Sequence, residues 1–329
     1  MPTPCMPAGN GWSGTNNKQV VERLTKVSSM RRDKLKRELP LYIMLIPAVV
    51  LVFIFSYGSM AGIVIAFEKF KPAMGLFGKQ QWVGLKNFET LFAMPNMFPI
   101  IRNTIVIALG KMVGGIIVPV LFALMLNEVG HTGSKRLFQT MVYLPNFLSW
   151  VILSGILLDV LSPSGGVVNI LLGVFGVEPI FFLGNAKVFP GTMIVTEIWR
   201  SFGFGSVIYL AAITGIDPAL YEAAKIDGAN RLKQTWHVTL PGMTSIIILM
   251  TVLSLGNILN GGFDQIYNMY SPVVYSTGDI LDTFVYRLGI QQAQYSLSTA
   301  AGLFKSVVSL VFIVTSYYLA DKFAGYKVF

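Results

Sequence analysis

The chain has 329 residues, of which 53% are apolar or aromatic and only 12% charged, with a formal net charge of +9. Soluble domains carry about 25% charged residues, so a water-soluble globule, a disordered chain and a collagen-like repeat are all excluded. The mean hydropathy of +0.63 indicates a chain that crosses a membrane several times, and its cationic excess implies contact with anionic lipid rather than nucleic acid.

Residues 1–17, rich in Gly, Pro, Ser and Asn, read as disordered, and Cys5 among them permits no internal disulfide or cysteine metal centre. His131 and His237, the two histidines, leave little room for a metal site of their own. Residues 18–37 read as a basic helix with Val20, Leu24 and Val27 at helical spacing, a positive topology signal that could also lie on lipid. Runs of about 20 apolar residues then place six spans, at 41–67, 100–126, 137–161, 190–213, 242–262 and 297–320. The first span is too long for a signal peptide and follows a long polar arm. With the N-terminus in the cytosol, 15 of the 25 Lys and Arg fall in inside segments and six in outside loops, which puts both termini inside. The expected organisation is a cytosolic arm over 1–38, a first span with its outer loop over 39–99, a transmembrane core over 100–321 and a cytosolic tail over 322–329.

The inside segment between the fourth and fifth spans, IDPALYEAAKIDGANRLKQTWHVTLPG (216–242), is too polar for lipid and too patterned for a plain linker. Asp217 reads as an N-cap, Pro218 as the first helical residue, and Ile216 with Tyr221 as a hydrophobic staple. Leu220, Ala223, Ala224 and Asp227 share one side, and Gly228 supplies the left-handed turn that ends the helix. A second short helix, about 230–236, precedes Pro241 and the fifth span. Such a rigid pair of helices with a small-residue face suits docking into a groove.

These residues resemble the EAA motif of ABC importer permeases: Glu222, Ala223 and Ala224, then Gly228, then Val238, Leu240 and Pro241 at the family spacing. The extended form EAAKIDGA, with Trp236, is similar to the carbohydrate-importing branch. GGFDQIYNMYSPVVYSTGDILDTFVYRLG (261–289) resembles oligo- and polysaccharide permeases, maltose-permease-like and alginate importers among them. The likeness extends over about 100–320. It implies an all-α inner-membrane subunit with one extra helix plus a five-helix type I core. It further implies a coupling helix in which Glu222 makes the charged contact with an ATPase subunit, Ala223 and Ala224 allow close approach, and Asp227, Gly228, Leu240 and Pro241 complete the motif. The implied partners are a second permease, two ATPase subunits holding ATP and Mg, an extracytoplasmic solute-binding protein and a sugar. GLFGKQ at 75–80 lacks the spacing and the Ser/Thr of G-x-x-x-x-G-K-[ST], so the ATPase site is expected in another subunit, and no cofactor in this one.

Charged residues inside spans are costly and mark a pore or a partner. Lys111, Glu197, Arg200 and Lys305 are of this kind. Glu197 and Arg200, at i,i+3, can pair with each other. Lys111 and Lys305 have no sequence-local acid, which leaves snorkelling, pairing across helices or facing a translocation path. Three cations would suit an anionic sugar such as a uronate oligosaccharide, and Asn257 and Asn260 are polar candidates for sugar hydroxyls or interhelical bonds. The outer loop 263–296 is rich in Tyr and Phe, read either as an interfacial belt or as a surface for sugar or binding protein. The outer loop 162–189 is a second such surface. Two rival classes are an ion-coupled secondary transporter, for which Glu197 is the one clear intramembrane carboxylate, and a membrane-embedded enzyme, for which no catalytic cluster is evident.

Overall fold

The computed structural model describes residues 38–76, 78–256 and 258–324. The basic arm, the far end of the tail and Asn257 therefore lie outside the described residues. Contacts divide the chain into two units, Met1–Gly62 and Ile63–Phe329.

Helix α1 (Glu38–Phe67) is the first span, 30 residues with a mean hydropathy of 2.5 over its most apolar stretch, none of which is buried within the chain. A side chain such as Met44, 78% exposed, has a favourable environment only in lipid or against another subunit.

After α1 comes a two-residue antiparallel ladder, β1 (Glu68–Lys69) with β2 (Gln81–Trp82), the one strand pairing among the described residues of an otherwise helical chain. The helices that follow are α2 (Lys86–Ala93), α3 (Met97–Asn127), α4 (Thr132–Tyr143), α5 (Trp150–Val160), α6 (Val167–Val174) and α7 (Phe189–Thr214). Then come α8 (Pro218–Ile226), α9 (Arg231–Gly256), α10 (Phe263–Met269), α11 (Leu281–Tyr286) and α12 (Tyr295–Ala324). Among the described residues four helices (α1, α3, α9 and α12) are long and apolar enough to cross a membrane alone, and counting each of two bent pairs as one span gives up to six.

The expected third span is not one rod. α4 runs through a 3-10 turn (Leu144–Phe147) and meets α5 at 106°. Pro145 lacks the N–H needed to continue the helix, Leu148 is extended, and the Ser149 hydroxyl accepts the Ile152 N–H to start α5 afresh. The fifth span also differs. α9 begins at Arg231, inside the loop, and passes Pro241 without a break. Proline cannot donate to the His237 carbonyl, and the helix absorbs this by widening into a π turn at Thr235–Thr239, where the Leu240 N–H reaches the Thr235 carbonyl. The span then stops at Gly256 rather than 262.

The second and fourth spans pack most extensively, and glycines explain how. A Cβ at Gly110 would stand 2.3 Å from Ile194 Cδ1, and one at Gly114 would stand 2.0 Å from Ile198 Cδ1. The G-x-x-x-G pair of α3 thus receives two isoleucines four residues apart on α7. Gly203 of α7 lies against α4, where a Cβ would be 2.4 Å from the Val142 carbonyl oxygen.

The segment expected as an outer loop over 263–296 is a packed layer. Ile266, Val274, Ile280, Leu281 and Phe284 are buried, joining cores built with α5, α7 and α12. The segment is fastened to α3, where Thr104 Oγ1 accepts the Leu281 N–H at 2.9 Å and Asn103 Nδ2 donates to the Ser276 carbonyl at 3.0 Å. The other outer loop is also organised. Asn169 of α6 is buried and bridges the Ser162 carbonyl with both backbone groups of Ile180.

Candidate functional site

The EAA segment folds as its local chemistry dictates. Asp217 Oδ1 accepts the Ala219 N–H at 2.9 Å, Pro218 opens α8, and α8 leaves α7 at 70°. At the far end the Ala229 N–H bonds the Ala224 carbonyl, the Gly228 N–H bonds the Lys225 carbonyl, and Gly228 has φ +76°. That is a Schellman closure, and it needs a residue free of the left-handed penalty. Asn230 then caps α9 by accepting the Lys233 N–H at 2.9 Å.

Glu222, Ala223 and Asp227 are exposed and Ala224 is half-buried. Large apolar side chains stand out beside them, with Ile226 87% and Trp236 66% exposed. Exposed apolar groups of this size in a polar loop mark a surface made to be covered. Behind it the loop is braced. Tyr221 Oη lies 3.0 Å from Thr239 Oγ1, Leu240 and Ile216 pack on the core around Met243 and Tyr209, and Gly242 lets Ile216 approach closely. Ile216, Tyr221 and Glu222 also line a cleft of about 390 Å³ with Asn127. Pro241 is exposed at the base of the fifth span.

A second feature is an open cavity of about 660 Å³ lined by α3, α5, α7, α9, residues 258–262 and α10. It brings together Lys111, Glu197, Arg200 and Asn260 from the expected path, and adds Trp150, Phe263, Asp264 and Gln265. Lys111 and Arg200 face Glu197 and Asp264, so the charged lining is formally balanced. Lys305 does not line it. Its ammonium pairs with Asp282 of α11 and donates to Asn260 Oδ1 at 2.9 Å.

Both cavity cations hold backbone at a helix break. Arg200 donates to the Asn146 and Leu148 carbonyls at 3.2 and 3.3 Å, where α4 gives way to α5, and sits over the Trp150 ring at 5.1 Å. Its contact with Glu197 is long, 3.9 Å, and its Nε is buried with no hydrogen-bond partner among the described residues. Lys111 donates to the Gly261 carbonyl at 2.7 Å and to Gln265, whose amide in turn donates to the Met193 carbonyl and to Thr196 Oγ1, each at 2.8 Å. Carbonyls freed by a broken helix need such donors at membrane depth. Neither bond could be foreseen from spacing: Arg200 reaches across about 50 residues and Lys111 across 150. Among the described residues no group of three His, Cys, Asp or Glu is placed to hold a metal.

Residues 115–325 match the family described as the binding-protein-dependent transport system inner membrane component. The chain is 42% identical over 290 residues to the polygalacturonan/rhamnogalacturonan transport system permease protein YteP of Bacillus subtilis (strain 168), covering 88% of this chain and 90% of that one. It is 41% identical over 289 residues to protein LplB of the same organism, covering 88% and 91%. Among solved structures it superimposes on a chain of a bacterial ABC transporter involved in the import of the acidic polysaccharide alginate. The TM-score there is 0.81, with 39% identity and coverage of 89% of this chain and 99% of that one. The helical fold, the exposed EAA helix and these similarities together place the chain in the family of binding-protein-dependent transport system inner membrane components, the multi-pass permease subunits of ABC importers.

Proposed function

We propose that this permease carries a uronic-acid-containing oligosaccharide across the inner membrane, working with a second permease, two ATPase subunits that bind ATP and Mg, and a solute-binding protein. The observation that carries the coupling half of this reading is the exposed EAA helix, braced on the fifth span and bearing uncovered apolar side chains. In that reading Glu222 and the Ala223–Ala224 face meet the ATPase subunit, Gly228 makes the turn, and ATP-driven closure of the ATPases reorients the permease pair. The core over 100–321 forms half of the path. The Lys and Arg distribution supports an arrangement with both termini and the EAA helix on the cytosolic side.

The substrate half rests on the relatives. One is named for polygalacturonan and rhamnogalacturonan, and a solved neighbour imports alginate in complex with a periplasmic protein bound to an alginate pentasaccharide. Each of those polymers carries carboxylates. The balanced charge of the cavity does not by itself select an anion, so the specificity is placed in the hydrogen-bonding groups of Asn260, Lys111 and Arg200 with Trp150 and Phe263 as apolar walls.

The test is the assembled complex in vesicles, with ATP hydrolysis and uptake followed for binding protein loaded with oligogalacturonide, alginate oligosaccharide or neutral maltooligosaccharide. Stimulation by a uronate and inhibition of uptake by vanadate are expected. Uptake that persists under vanadate would overturn ATP coupling and favour an ion-coupled carrier, and stimulation by the neutral sugar alone would overturn the uronate assignment.

A further inference from the structure

Five aromatic rings form a continuous row that starts at the cavity wall with three mutually packed rings, Phe263, Tyr267 and Tyr286, and runs on through Tyr270 to Tyr275. Phe263, which lines the cavity, stacks on Tyr267 at 5.2 Å between centroids with 17° between planes. Tyr267 meets Tyr286 at 4.9 Å and Tyr270 at 6.1 Å, and Tyr270 meets Tyr275 at 5.0 Å. Each ring is half-buried, packed on its neighbours while still reached by solvent.

We propose that this row is a stacking track along which an extended oligosaccharide reaches the cavity, an outer set of sugar subsites continuous with the inner one. The inference rests on the reading of the chain as a sugar permease and adds where the chain's further units lie. Three observations favour it over an interfacial aromatic belt. Belt residues are anchors whose polar tips seek the headgroup region, whereas these rings touch one another in sequence. Each tyrosine adds a hydroxyl able to donate and accept at the rim of its ring. A pyranose has the matching form, with C–H groups on its faces and hydroxyls around its rim.

The second observation is rigidity. Beneath the outer end of the row, Arg287 lies over the Tyr275 ring at 4.5 Å and forms an ion pair with buried Asp279. Asp279 also accepts from Thr283 Oγ1 at 2.8 Å. Burial works against the Arg287 charge, but the Asp279 carboxylate outweighs it and raises the guanidinium above its ordinary range. A platform held this way loses little freedom when a ligand stacks on it.

The third is continuity. The row joins the cavity at Phe263, beside Asp264 and Gln265, so a chain seated in the cavity has its next units over Tyr267 and Tyr286 without a gap. The centroid steps are comparable with the length of one pyranose unit. An aromatic face accepts successive units irrespective of their exact substitution, which suits a polymer fragment of variable length.

The test uses the full complex in vesicles with its binding protein and a series of oligogalacturonides from short to long. For Tyr267→Leu and Tyr286→Leu, KM for the long members should rise about three- to tenfold per ring removed. KM for the shortest members should stay near the wild-type value, and Tyr267→Phe, which keeps the ring, should retain most of the long-chain advantage. Equal loss on short and long substrates, or no loss on either, would overturn the track. Wild-type complex that accepts only neutral sugars overturns the uronate reading alone, and the length comparison is then made on maltooligosaccharides. Quantifying assembled complex for each variant separates misfolding from weakened stacking, since a misfolded subunit lowers uptake of every length together.

Discussion

Gly228 offers a clean perturbation of the EAA helix, because the two usual costs of replacing a glycine are separated there. A Cβ added at this position meets no atom within 4 Å, so no steric clash contributes. What remains is the backbone, held at φ +76° by the Schellman closure of α8. An L-residue other than Asn or Asp carries a penalty of about 1–2 kcal/mol in that region. The ratio of closed to open turn should therefore fall about 5- to 30-fold in Gly228→Ala. Gly228→Asn should lie between wild type and Ala, and Gly228→Val should be worst, since its branched side chain tolerates the left-handed region least. Two measurements read this out. Hydrogen exchange of the Gly228 and Ala229 amides, bonded to Lys225 and Ala224, reports the turn itself, and sugar imported per ATP hydrolysed reports its use in coupling. Faster exchange without a fall in the transport ratio would detach the turn from coupling. Unchanged exchange in the Ala variant, or an Asn variant worse than Val, would refute the conformational argument altogether.

Other expectations follow from packing and pairing. Gly203→Ala drives a methyl into the Val142 carbonyl, which is backbone, so α4 and α7 must separate at a cost of about 1–3 kcal/mol. Gly110→Ala presses only on the end of the Ile194 side chain and should be rescued by Ile194→Ala, with thermal unfolding of purified complex as the check. Asp282→Asn leaves the Lys305 ammonium short of its carboxylate and should cost about 1.5–3 kcal/mol. The exchanged pair Asp282→Lys with Lys305→Asp should regain part of that stability, and an equally stable Asp282→Asn protein would remove the pair from the account. Arg200 gives both carbonyl bonds at the α4–α5 break from its one Nη2, and Arg200→Lys, with a shorter reach and no planar group over Trp150, should weaken them. Faster amide exchange at Ser149 and Trp150 is the expected sign, and unaltered exchange would show that the break holds without the guanidinium.

What sequence reading recovered was local. Apolar runs locate helices because the bilayer sets their length. Asp217, Pro218 and Gly228 act on neighbours within five residues, and Asp217 and Gly228 are found in those bonds. What it missed depends on contacts between distant segments. The 106° break after Phe147 has a visible local sign in Pro145, but not the Arg200 side chain that satisfies it. Lys111 has no sequence-local acid, and its partners at Gly261 and Gln265 lie about 150 residues away. The layer over 263–291 looked like a loop because its helices have only six or seven residues, too short for an apolar period to show. The G-x-x-x-G of 110–114 is present in the sequence, but spacing alone does not show what packs on it. Only the opposing Ile194 and Ile198 give it meaning.

The unbroken run of α9 from the EAA loop to the cavity has a mechanical consequence. Its 26 residues form a rod roughly 39 Å long, since each residue advances 1.5 Å. The π turn that absorbs Pro241 preserves that rod where a proline would otherwise have hinged it. A tilt of about 5° imposed at Arg231 displaces the end at Gly256 by roughly 3 Å over this length. That displacement falls on the stretch carrying Asn260 and Gly261, which is tethered to Lys305 and Lys111. In the coupling proposed above, the fifth span works as a lever whose short stroke at the EAA loop strains two ammonium tethers at the cavity.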